Sequence, residues 1–135
     1  MGISNFDIMQ LVKYFSIPYF KGVFSRDELS GTPEKHECGI VNLNTSQEKG
    51  SHWVAYFKDE NKRIYFDSFG QIIPTEIQKY LKSKEEFNND EPVIQRNTDQ
   101  VQDIGTDICG HLCIYVLDQL SKGAHFQDII NFLRW

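Results

Sequence analysis

The chain has 135 residues, 40% of them apolar and 24% charged, the size and make-up of one globular domain spanning residues 1–135. A net charge of −5 argues against a surface made to grip a phosphate backbone, and no apolar run approaches the ~20 residues of a membrane span. Three cysteines, an odd number, do not read as a secreted disulfide framework, and the start Met1-Gly2-Ile3-Ser4-Asn5 lacks the pattern of a signal peptide, so the expectation is a soluble intracellular protein.

Ser4 followed by Asp7 has the form of an acidic capping box, and Ile8, Leu11, Val12 and Phe15 recur behind it at helical spacing until Pro18 stops the helix. Residues 39–43 are rich in β-branched side chains and predict a buried strand. Two more apolar runs, 52–57 and 63–67, flank the polar linker Lys58-Asp59-Glu60-Asn61-Lys62 and predict a hairpin. Pro74 opens a helix with Ile77, Tyr80 and Leu81 on one face; residues 82–91 read as a solvated helix end and loop, and 92–94 as a short strand. Cys109, Leu112, Cys113, Val116, Leu117 and Leu120 line one face of the longest amphipathic helix, with Thr106 or Asp107 as its cap and Gly123 as its stop. A last helix carries Phe126, Ile129, Ile130 and Leu133 on its apolar face. Together these elements make an α+β domain without repeats or linkers.

Cys109 lies in the first turn of the long helix. Free backbone N–H groups there carry partial positive charge, which lowers a thiol pKa and can also hold an oxyanion. The bland alternative is a small core residue on an apolar face, which suits Cys113 better. A thiolate nucleophile needs a base, and the base needs a group to orient it. His52 opens the first hairpin strand and Asp67 ends the second. A turn centred between Asp59 and Glu60 sets the two directly opposite; one centred between Glu60 and Asn61 makes them diagonal neighbours, still within reach. A purely structural His–Asp pair is the competing reading. His36 and His125 have no partner pattern, and His111 faces solvent or substrate. The motifs His36-x-Cys38 and Cys109-x-His111-x-Cys113 lack paired C-x-x-C knuckles, so no metal is expected, and no phosphate-cradling glycine motif implies a nucleotide cofactor.

The stretches PYFKGVFSRDEL (18–29), ECGIVNLNTSQEKGSHWVAYF (37–57), IYFDSFG (64–70) and NTDQVQDIGTDICGHLC (97–113) carry a resemblance spread over most of the chain. His52-Trp53, then Phe66-Asp67-x-x-Gly70, then Gln102 seven residues before Cys109-Gly110, form a specific combination in a diagnostic order. In these motifs the chain resembles the adenain-like family, the cysteine proteases of adenovirus maturation with relatives in other viruses and Polinton-type mobile elements. The resemblance implies a papain-like α+β fold of the adenain and SUMO-deconjugase clan, a small, mainly antiparallel sheet packed against a central helix bearing the nucleophile. It implies His52 as general base, Asp67 as the acid that orients it, Gln102 as the side-chain amide of the oxyanion hole and Cys109 as nucleophile. A glutamine amide suits that role because it donates N–H groups without a charge that would neutralise the thiolate. Trp53 packs beside the site or serves only the core.

The implied function is cleavage of viral capsid and core precursor proteins during virion maturation, through a thioester and without a cofactor, in the virion and the infected cell. Removal of ubiquitin-like modifiers by the same machinery is the alternative, and a non-catalytic binding module on the same fold is a second. Asp67 stands where adenain has Glu, as in clan relatives, and the chain after Cys109 is much shorter than in adenain, implying less surface for substrate or activator. No cysteine lies near Glu91–Pro92, where adenain bonds its activating peptide, so any activating peptide is expected to bind non-covalently. DNA is not expected as a strong partner: Lys79, Lys82 and Lys84 share one stretch, but Glu85 and Glu86 adjoin them and the net charge is −5.

Overall fold

The computed structural model describes residues 3–44, 52–83, 93–102 and 108–134. The acidic capping box forms as predicted. Ser4 Oγ accepts from the Asp7 N–H at 3.1 Å and the Asp7 carboxylate accepts from the Ser4 N–H at 3.3 Å, which starts α1 (Asn5–Phe15). Ser16, left-handed at φ 55°, ends that helix two residues before Pro18.

Five strands follow in sheet order β1-β2-β3-β4-β5: β1 (Phe20–Ser25), β2 (Glu37–Asn42), β3 (Trp53–Lys58), β4 (Arg63–Phe66) and β5 (Gln95–Arg96). The central pairings β2–β3 and β3–β4 are antiparallel, whereas the outer strands β1 and β5 join parallel to their neighbours, so the sheet is mixed rather than mainly antiparallel. Of the strand expected at 92–94, the described residues 93 and 94 lie ahead of the observed strand. Val93 is 84% exposed, and β5 begins at Gln95, where β4 offers a partner at Ile64. β1 has no counterpart among the predicted elements, because a six-residue run broken by Lys21 and Gly22 shows no clean alternation.

Successive residues of β2, β3 and β4 point to opposite faces, and both faces are covered. Ile40, Ala55, Ile64 and Phe66 pack with Ile8 and Val12 of α1, Cys113, Val116 and Leu117 of α3 (Cys109–Ser121), and Ile129 of α4 (Phe126–Leu133). Val41, Val54, Tyr56 and Tyr65 pack with Ile77, Tyr80 and Leu81 of α2 (Thr75–Lys82). Double coverage is why these strands read as nearly continuous apolar runs. Gly123, at φ 92°, follows the end of α3 as expected, while the predicted caps Thr106 and Asp107 lie outside the described residues.

One buried acid interrupts the second face. Glu37 accepts hydrogen bonds from the Tyr56 and Tyr80 hydroxyls, the latter at 2.6 Å, and Lys21 Nζ stands 3.6 Å from it. Gly39 leaves room for the pinned Tyr56 ring: a Cβ there would meet ring carbons at 2.7 and 2.9 Å and the hydroxyl at 2.8 Å. Because that ring cannot swing away without breaking its bond to Glu37, Gly39→Ala is expected to destabilise the fold by about 1–3 kcal/mol through overpacking, measured as a lowered midpoint of denaturant unfolding. An unchanged midpoint would mean that the tyrosine gives way freely.

Candidate active site

The chemistry gathers at one end of the sheet, where β3 begins, β4 ends and α3 starts. The hairpin register fixes the first pair. Ala55 faces Phe66 and Lys58 faces Arg63, so the turn is centred between Glu60 and Asn61, and His52 and Asp67 are diagonal rather than directly opposed. Asp59 sets this register: its Oδ1 accepts from the Asn61 N–H at 2.8 Å and the Lys62 N–H at 2.7 Å, which centres the turn one residue later than the directly opposed alternative requires. The diagonal is short enough for contact. His52 Nε2 lies 2.7 Å from Asp67 Oδ1, with the carboxylate buried and the imidazole 17% exposed. The register also brings Phe69 onto the imidazole, with centroids 4.7 Å apart at 27°.

Asp67 is itself held. Its Oδ1 accepts from the Phe69 N–H at 2.9 Å, its own N–H donates to Asn97 Oδ1 at 3.1 Å, and Asn97 Nδ2 donates back to the Asp67 carbonyl at 2.6 Å. A carboxylate so fixed can hold an imidazole in one tautomer and orientation.

Cys109 is the first residue of α3 and is buried. Its Sγ accepts from the Trp53 N–H at 3.4 Å and is hydrogen-bonded to the His52 side chain. With Nε2 on Asp67, the thiol falls to the other ring nitrogen. Burial raises the Cys109 pKa, but the His52 hydrogen bond, the Trp53 N–H, the imidazole charge and the Gly110 N–H more than offset it and leave the thiol below its ordinary value. For His52, burial lowers the pKa, yet the hydrogen bonds to Asp67 and Cys109 and their charges push it up to about 9. Both directions favour an imidazolium–thiolate pair at neutral pH. The other thiols behave oppositely: burial, then the Glu37 charge, pushes Cys38 up to about 12, and burial raises Cys113 well above the usual range.

Gln102 is buried beside the acid. Ser68 Oγ donates to its Oε1 at 2.5 Å, the Val101 N–H donates to the Ser68 carbonyl at 2.8 Å, and Gln100 Nε2 donates to the Gln102 carbonyl at 2.7 Å. Trp53 serves the site through its backbone N–H and, through its indole, ties Ile3 to the start of α3. Nε1 donates to the Ile3 carbonyl at 3.1 Å, and Ile3 lies where a Cβ on Gly110 would be.

The structure thus brings His52, Asp67 and Cys109 into one hydrogen-bonded chain, with Gln102 joined to it through Ser68. His111 is exposed, His36 stacks on Tyr19 and lies 3.8 Å from Glu60, and His125 precedes α4; none enters the site. Among the described residues, no group of three or more His, Cys, Asp or Glu side chains is placed to hold a metal ion. A cavity of about 510 Å³ lined by Ile72, Ile73, Val93 and Arg96 lies between α2 and β5, away from Cys109. Sequence reading passed over Ser68, Phe69 and Asn97. The first two adjoin Asp67, and their nearness to the acid was the available signal; Asn97 in a polar stretch gives none.

Comparison with known proteins supports the resemblance. The chain is 27% identical to the protease of bovine adenovirus 2 over 87% of its own length and 62% of the relative's. It is also 27% identical to the protease of human adenovirus B serotype 3, over 94% of itself and 65% of the relative. A candidate thiol protease of Acanthamoeba polyphaga mimivirus is 27% identical over 78% of this chain and 36% of its own length. The chain therefore spans less than two thirds of the length of the adenovirus proteases it matches. No family model matches it. Two crystal structures of the ASFV protease share the fold. One has a TM-score of 0.67 at 15% identity, over 96% of this chain and 61% of that one; the other has 0.56 at 20%, over 73% and 39%. The α+β fold of this chain is the one these protease structures share.

Proposed function

We propose that this chain is a viral cysteine endopeptidase working through a Cys109–His52–Asp67 triad. The observation that carries the reading is the imidazole of His52 held between the Asp67 carboxylate and the Cys109 thiol at a helix N-terminus. Kinship with adenovirus proteases and a viral thiol protease supports it.

In this mechanism the Cys109 thiolate attacks the scissile carbonyl carbon, and the electron pair of the C=O bond moves to oxygen. The Gln102 amide and the Cys109 N–H donate to that oxyanion. As the intermediate collapses, His52 gives its proton to the departing amine and a thioester remains. His52, now neutral, takes a proton from water as it attacks the thioester; collapse releases the carboxylic acid and restores the thiolate–imidazolium pair. Asp67 keeps the imidazole aligned throughout and stabilises its charged form. The substrates in this reading are capsid and core precursor proteins, cleaved in the virion or infected cell. An activating peptide would bind without a disulfide, and DNA would not be required.

The test is incubation with a peptide library and with ubiquitin-like conjugates, followed by mass spectrometry, for the wild type and Cys109→Ala. Peptide cleavage by the wild type alone is expected. Cleavage of isopeptide-linked conjugates only would replace the reading by a deconjugase. Turnover retained in Cys109→Ala, or absent from both proteins on both substrate sets, would reject it.

A further inference from the structure

An oxyanion hole built on a side-chain amide has an orientation problem. A carboxamide can rotate by half a turn, and the wrong rotamer presents a carbonyl oxygen to the developing negative charge. Something beside the amide must therefore engage its oxygen. In this chain that group is Ser68, whose hydroxyl donates to Gln102 Oε1 at 2.5 Å in a fully buried setting. The short separation suits an O–H···O bond rather than contact with the amide nitrogen.

The surrounding contacts hold the donor still. The Ser68 carbonyl accepts from the Val101 N–H at 2.8 Å, one residue before Gln102, so Ser68 grips the glutamine segment by backbone and side chain together. Gly70 lets this segment approach closely, since a Cβ on it would fall 2.6 Å from the Thr98 carbonyl oxygen. Asp67, one residue earlier, bonds His52 while Asn97 bonds the Asp67 backbone.

Building on the reading that Gln102 supplies an oxyanion donor, we infer that Ser68 is a positioning residue that fixes the rotamer of the Gln102 amide and turns its NH₂ end toward the carbonyl under attack. The adjacent pair Asp67-Ser68 then divides two tasks: Asp67 aligns the proton-transfer group and Ser68 aligns the oxyanion donor. Ser68 itself touches no reacting atom in this scheme.

The experiment is a double-mutant cycle on a peptide that the wild type cleaves, using Ser68→Ala, Gln102→Ala and the double variant, with thermal midpoints recorded for each. Ser68→Cys keeps the shape with a much weaker donor, and guards against misfolding of the alanine variant. Gln102→Ala should lower kcat by about 10²–10³. Ser68→Ala and Ser68→Cys should each lower kcat by roughly 10–100-fold, a part of that loss, with KM little changed and the rate of Cys109 alkylation preserved. The double variant should be no slower than Gln102→Ala, because the serine acts only through the amide. Losses that multiply in the double variant, or a Ser68→Ala enzyme with wild-type kcat beside an impaired Gln102→Ala, would overturn the inference while leaving the protease reading intact. Wild-type kcat in Gln102→Ala would overturn the role of Gln102 and the inference with it. A substrate-free readout separates the inference from the protease reading: the Gln102 side-chain amide signals in ¹⁵N NMR should shift in Ser68→Cys, and unmoved signals would overturn the inference whether or not a substrate is found.

Discussion

His52→Ala should slow alkylation of Cys109 at pH 7 by roughly tenfold and lower kcat/KM by about 10²–10⁴. Two roles are lost at once. The imidazolium lowers the Cys109 pKa through its hydrogen bond and charge, and without it a buried thiol returns to its ordinary range or above, with only a small thiolate fraction at neutral pH. The leaving amine also loses its proton donor, so turnover should suffer more than alkylation. The pH profiles carry the sign. With His52 raised to about 9, its protonated form predominates below that value, and turnover that depends on it should fall as pH rises through about 9. Wild-type alkylation, which needs only the thiolate, should set in below the pH range of an ordinary thiol. In His52→Ala it should instead climb with pH as the thiol titrates. Limiting iodoacetamide should label Cys109 before Cys38, raised to about 12, and before the fully buried Cys113. Asp67→Ala should cost less turnover than His52→Ala, because it removes an orienting group and not the proton carrier. Equal kcat/KM in wild type and His52→Ala would refute the base assignment.

Gly70→Ala should cost about 2–4 kcal/mol of stability, combining left-handed strain with overpacking, and should lower kcat/KM in the fraction that folds. Gly70 sits at φ 69°, and its missing side chain faces the backbone of the neighbouring segment: Thr98 O at 2.6 Å and Thr98 C at 2.9 Å. Backbone gives way less readily than a side-chain tip. To admit a methyl, the segment holding Asn97 and Gln102 must move away from the turn holding Asp67 and Ser68. Gly31→Ala is the internal control, since φ is 79° there but nothing lies within 4 Å of a Cβ. It should show the strain alone, about 1–2 kcal/mol, with activity unchanged. Denaturant midpoints and kcat/KM for the two variants separate the effects, and equal, mild losses would show that the two segments are not tightly coupled.

What the chain discloses without coordinates follows the range of the interactions concerned. The α1 cap is legible because Ser4 and Asp7 are three residues apart and need no other part of the chain. The faces of α2 and α3 are legible because burial imposes helical spacing on Ile77, Tyr80 and Leu81 and on Cys109, Cys113 and Val116. Hairpin existence is local too, but its register turns on which residues the Asp59 carboxylate bonds, a choice two adjacent turns offer almost equally. β1 leaves no clean mark because Lys21 and Gly22 break its alternation, and the two-residue β5 joins the sheet by parallel pairing with a strand distant in sequence. In the site, the identities of His52, Asp67, Gln102 and Cys109 come from motifs. The contacts of Ser68 and Asn97 span 34 and 30 residues; Ser68 is marked only by its place beside Asp67, and nothing near Asn97 announces its contact.

The parts of the site are also strung unevenly along the chain. His52 and Asp67 meet across 15 residues within a single hairpin, whereas the contact between Trp53 and Cys109 spans 56. Local pairs close early at small entropic cost, and distant ones wait for the larger structure. During synthesis from the N-terminus, His52 and Asp67 emerge well before Cys109, and the depressed thiol pKa exists only once α3 has docked on β3. A nascent or partly folded chain therefore holds a cysteine no more aggressive than any other, and the activated thiol arrives only with the completed fold.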